Sequence, residues 1–81
     1  MTYNRMREVP RVMPVWPSEL AEDLISRAKL VARMEAALAT ERQRGVERHW
    51  AYSLPRHGAL LNVYREEKAA LDAMWAREHA L

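Results

Sequence analysis

Residues 18–45 read SELAEDLISRAKLVARMEAALATERQRG. Leu20, Leu24, Val31, Met34 and Leu38 recur at steps of three, four and seven, and Ile25 and Ala28 widen the stripe. That period belongs to an amphipathic helix. Ser18 is a favoured N-cap, and Pro17 before it blocks an earlier start. Glu19, Glu22 and Asp23 suit the positive end of the helix dipole, and Arg42 and Arg44 suit the negative end. Gly45 supplies a stop. The spacing predicts one helix of about 26 residues, roughly 39 Å long.

Downstream, Leu61, Tyr64, Lys68, Leu71 and Trp75 alternate steps of three and four, a heptad seam with Lys68 as its polar member. Leu60 and Met74 flank it, and Ala69, Ala70, Ala73 and Ala76 favour helix and close approach of a neighbour. A second long helix is expected over about 57–79. Between the two lies a connector, residues 46–58. Val46, Trp50 and Leu54 are four apart, which suggests a short helix over 46–53. Ser53 reads as a turn or cap beside Pro55, which ends that helix or opens the next.

Upstream, Pro10, Pro14 and Pro17 punctuate residues 1–17. Proline lacks an amide donor and biases the preceding residue towards extended backbone. An extended arm is therefore expected, and Val12, Val15 and Trp16 make it apolar enough to dock on its own domain or on a partner. The organisation read from the sequence is an extended arm over 1–17 and a helical domain over 18–81. The fold class is all-α: a helical hairpin of two long helices with a short connector helix. Two stripes facing each other make a thin core. The arm covers one open side, and a second copy covers the other, so a homodimeric helical bundle is expected.

The whole chain has 81 residues, 13 Lys+Arg against 11 Asp+Glu and no Cys. So short a chain buries only about 60% of its unfolded surface and is marginal alone. Without Cys, disulfides and Cys-ligated zinc are excluded. The longest run free of Asp, Glu, Lys and Arg is residues 57–64, far short of the roughly 20 apolar residues of a membrane span. The first seven residues lack the apolar core of a signal peptide. A cytoplasmic protein is expected, with no membrane association. Eleven Arg and 13 Ala both follow from GC-rich coding, so the arginines are weak evidence for phosphate binding. The net charge of +2 is too small to demand a polyanionic partner.

Chemistry finds little to work with. None of His49, His57 and His79 follows a Glu by three residues, so the Glu-x-x-His pair of di-iron bundles is absent. Glu66 and Glu67 are adjacent and point about 100° apart, which reads as a solvated acidic face. Gly45 and Gly58 cannot make a phosphate loop, and Ser53 lies in no nucleophile elbow. No enzyme activity, metal or cofactor is expected.

The connector carries the densest functional pattern: Arg42, Arg44, Arg48, His49, Trp50, Tyr52, Arg56 and His57. Arginine with aromatic rings is the composition of protein hot spots and equally of nucleic-acid grips. A third reading is structural, with Trp50 and Leu54 plugging the open end of the hairpin. A helix-turn-helix outline over 46–62 is weak, because Gly58, Ala59 and Leu60 stand where base-reading side chains belong.

The expected function is a small non-enzymatic interaction protein, an adaptor or inhibitor that contacts a protein partner through Trp16, Arg48, Trp50, Tyr52 and Arg56. Small Cys-free phage-borne inhibitors, anti-CRISPR proteins included, have a similar size and economy; that is an analogy of class, and no residue carries it. Mildly basic charge favours direct contact over DNA mimicry. The alternatives are a nucleic-acid-binding regulator using the basic connector, and a structural subunit of a larger assembly.

Overall fold

The structure is a computed structural model in which residues 2–80 are described. It contains α1 (Arg5–Val12), a short 3-10 turn (Pro17–Leu20), α2 (Leu24–Val46) and α3 (Leu54–Glu78), with no strand among the described residues. α2 and α3 form an antiparallel hairpin, α1 lies on α3, and the 3-10 turn lies on α2. The molecule measures 48 × 25 × 25 Å. Among the described residues no helix is long and apolar enough to cross a membrane.

The hairpin follows the sequence reading, but the N-terminal segment does not. Residues 5–12 are helical despite Pro10, which corrects the expected extended arm. Asn4 caps this helix, its side chain accepting from the Met6 amide at 3.1 Å. Pro10 removes only the bond to the Met6 carbonyl, and Met6 is an exposed residue that water reaches. Burial supplies the rest. Arg5, Val9 and Met13 lie four residues apart on one face, and all three are buried. Extended backbone flanks α1: Asn4 before it has φ −125°, ψ 102°, and after it Met13 has φ −160° and Trp16 has φ −85°, ψ 148°.

The first long helix also starts later than expected. Asp23, not Ser18, is its N-cap, accepting from the Ser26 amide at 3.0 Å. Arg5 explains the break. Its Nη1 donates to the carbonyls of Leu20 at 3.0 Å and Ala21 at 3.4 Å. Those oxygens would accept from the amides of residues 24 and 25 in an unbroken helix. Ser18 instead lies in the 3-10 turn. The Trp16 amide donates to Glu19 Oε1 at 2.9 Å, and Arg33 pairs with Glu19 while donating to the Pro14 carbonyl at 2.9 Å. The Trp16 amide, and then Arg33, hold the Glu19 carboxyl below its usual range.

The core gathers Val9, Met13, Leu20, Leu30, Met34, Leu38, Leu60 and Val63. On α3 the buried positions are Leu60, Val63 and Glu67, one residue round from the expected seam. α1 causes this rotation, because α2 and α3 must turn a face towards it. Glu67 is 1% exposed, so half of the expected acidic face is interior. Its Oε1 accepts from Arg5 Nη2 at 2.8 Å, and its Oε2 accepts from the Tyr3 hydroxyl at 2.7 Å. Arg27 Nε stands 3.9 Å away. Burial, then the hydrogen bond and charge of Glu67, push the Tyr3 hydroxyl well above its usual range.

Candidate functional site

α2 ends in a Schellman turn. The Arg48 amide donates to the Gly45 carbonyl at 3.2 Å, and the His49 amide donates to the Arg44 carbonyl at 2.8 Å. The left-handed residue this motif requires is Arg48, at φ 54°. Gly45, the expected stop, is helical. Its missing side chain serves a different end: a Cβ there would stand 3.1 Å from two ring carbons of Tyr52. The glycine therefore lets Tyr52 lie against α2.

The expected short helix over 46–53 does not form. After the Schellman turn the chain makes a second tight turn, closed by the Tyr52 amide on the His49 carbonyl at 3.0 Å. The Ala51 amide donates to His49 Nδ1 at 3.0 Å. A left-handed residue at 48 diverts the chain just where the Val46–Trp50–Leu54 spacing needs helical backbone. Without that helix, the helix-turn-helix outline is lost as well. Ser53 is the N-cap of α3, accepting from the Arg56 amide at 3.3 Å, with Pro55 in the first turn.

Arg56 braces this loop. Its Nη2 donates to the Ala51 carbonyl at 2.6 Å and to Glu41 Oε1 at 3.1 Å. Arg44 donates to the same Glu41 oxygen at 3.3 Å. Glu41, on the buried side of α2, is the anchor for both. Tyr52 Oη and His57 Nδ1 are 3.1 Å apart and close the other side.

What the brace presents is apolar. Trp50 is 91% exposed, with Val46 at 75% and Leu54 at 70%. Trp50 and Leu54 therefore do not plug the hairpin; they project from it. The plug position is filled by Tyr52, which is half-buried. The His49 ring stacks on Trp50, with centroids 5.5 Å apart and 26° between planes. Arg42 and Arg48 make no ion pair among the described residues, whereas Arg44 and Arg56 share Glu41.

Arg48, Trp50 and Tyr52 thus share the α2–α3 loop, with Arg56 reaching it from the first turn of α3. Tyr52 and Arg56 build it, and Arg48 and Trp50 face solvent. Trp16 is elsewhere. It is 76% exposed and sits with Pro14 and Glu19 beside Arg33, thirteen residues or about 20 Å of helix from the end of α2 where the loop begins. Sequence reasoning passed over Glu41, whose role shows only as an acid falling on the buried face beside two arginines. It read Glu67 as part of a solvated acidic face, although its place in the a/d rhythm of Leu60 and Val63 was a signal that it is buried. No group of three or more His, Asp or Glu side chains among the described residues is placed to hold a metal. Comparison with family models, curated proteins and solved structures finds no match to this chain.

Proposed function

We propose that the chain is a protein-interaction module, an adaptor or inhibitor that inserts the α2–α3 loop into an apolar pocket of a protein partner. The observation that carries this reading is Trp50, 91% exposed on a loop braced from both sides. A fully exposed indole is costly to leave in water, and a rigid aromatic loses little entropy on binding. Tryptophan is also the residue type most enriched at interface hot spots. Val46 and Leu54 extend the apolar tip, and Arg42 and Arg48 suit a pocket with an acidic rim.

A nucleic-acid reading has one observation of its own, the stacked His49–Trp50 pair, which resembles a platform for an unpaired base. Of Arg42, Arg44, Arg48 and Arg56 at this end of the hairpin, two are committed to Glu41, so few cations remain for phosphates.

The test is a pull-down from native lysate with the tagged chain, with and without nuclease, for the wild type and Trp50→Ala. A defined protein that survives nuclease and is lost with Trp50→Ala supports the interaction module. Recovery that collapses under nuclease, or capture indifferent to Trp50→Ala, overturns it. Salt separates the two modes further, because phosphate contacts release counterions and weaken steeply with ionic strength.

A further inference from the structure

Of the expected seam of α3, Leu61 and Tyr64 pack against the core, and the part from Lys68 to Trp75 is left open. Leu71 and Trp75 face Leu24, Ile25, Ala28 and Ala32 of α2 across a groove of about 710 Å³. Ile25 is 68% exposed and Trp75 is 56% exposed. α1 and the 3-10 turn cover other faces of the hairpin and contribute nothing to the lining. The rim carries Lys29 on α2, and Lys68 and Asp72 on α3.

The register of the hairpin says what fits. Tyr64 Oη donates to Glu35 Oε2 at 3.1 Å, which sets residue 64 level with residue 35. Arg56 meets Glu41, so the helices stay in antiparallel step. Carried along both helices, this register sets Trp75 level with Leu24 and next to Ile25, Leu71 level with Ala28, and Asp72 two residues, about 3 Å along the axis, from Lys29, within the reach of a lysine side chain. A two-fold axis parallel to the helices lays α2 of one copy over α3 of the other without changing levels. Each large side chain then meets a complementary place: Trp75 over Ile25, and Leu71 over the small Ala28. Lys29 makes no ion pair among the described residues of its own chain and meets Asp72 of the other copy. Asp72 already holds Lys68 at 2.9 Å in its own chain and keeps a free oxygen for this contact. A patch that contains its own complement, charge included, is what an isologous interface requires. All neighbouring helices become antiparallel, the arrangement of a four-helix bundle.

We infer that the Leu24–Trp75 groove binds a second copy of this chain, giving a two-fold dimer with Lys29 paired to Asp72 across the interface. This inference is independent of the role of the α2–α3 loop, which lies at the end of the hairpin away from the groove.

Sedimentation equilibrium of the full chain over a wide concentration range tests it. The wild type is expected to show a monomer–dimer equilibrium. Ile25→Glu is expected to sediment as a monomer with an unchanged helical circular dichroism spectrum, since the site is exposed and folding does not need it. Lys29→Glu weakens the dimer several-fold, and adding Asp72→Lys restores it. A wild type that is monomeric at every concentration overturns the inference. So does a dimer indifferent to Ile25→Glu, which places the contact on another face. A double exchange no tighter than Lys29→Glu alone overturns the stated pairing.

Discussion

Arg48 occupies a backbone region that disfavours every side chain except glycine, costing about 1–2 kcal/mol. Arg48→Gly removes that strain while adding the disorder of glycine to the unfolded chain, roughly 0.5–1 kcal/mol. A net gain of about 0.5–1 kcal/mol is expected in urea denaturation. If Arg48 touches the partner, the same variant binds more weakly while being more stable, which separates the two roles. Trp50→Ala should leave stability within about 0.5 kcal/mol, because the side chain rests on little but His49. A large loss of stability would place Trp50 in the fold rather than at a surface. Glu67 is the opposite case. Glu67→Ala leaves Arg5 and Arg27 buried against no carboxylate, with an expected loss of about 3–5 kcal/mol in the same assay. The four loop residues were legible in the sequence because exposed aromatic and guanidinium groups crowd a short window. Their division of labour was not, since Arg56 and Arg48 look alike until Glu41 and the Ala51 carbonyl are seen beside only one of them.

At the level of elements, α3 was read to within three residues at each end, and α2 was read correctly at its C-terminal end but six residues early at its start. Their periodicity is long, and each is capped by a hydroxyl or carboxylate side chain, Asp23 and Ser53. The errors share one physical source: contacts from residues far off in sequence. Proline spacing argued for an extended first segment, and burial of Val9 and Arg5 outweighed it. Ser18 is as good a cap as Asp23 by local rules, but Arg5 takes the carbonyls that the earlier start would need. The clasp between Glu19, the Trp16 amide and Arg33 is expected to be sensitive to acid. A carboxyl held below its usual value contributes stability that is fully present above pH 4.5, its unperturbed value, and is lost as the pH falls through the lowered value. Thermal melts of the wild type and Glu19→Gln should differ near neutral pH and converge in acid. A difference that persists unchanged at low pH would mean that Glu19 acts without its charge.

Across the whole molecule, two apolar seams on α3 divide the work. The one formed by Leu60 and Val63 closes the core with α1, and the C-terminal part of the other, Leu71 and Trp75, lies open. A sequence with both seams on one helix does not reveal which faces inward, and the docking of α1 decides it. The fastening of α1 has a consequence for how the chain is made. Arg5 and Glu67 are 62 positions apart, and Tyr3 and Glu67 are 64 apart. At about 5–20 residues per second, a ribosome needs roughly 3–12 s to reach the carboxylate after the arginine has been added. For that interval Val9 and Met13 have no finished core to enter, and α1 is too short to persist as a helix by itself. A growing chain stalled before residue 67 thus carries α1 with the apolar side chains of Val9 and Met13 uncovered, the kind of surface that chaperones recognise.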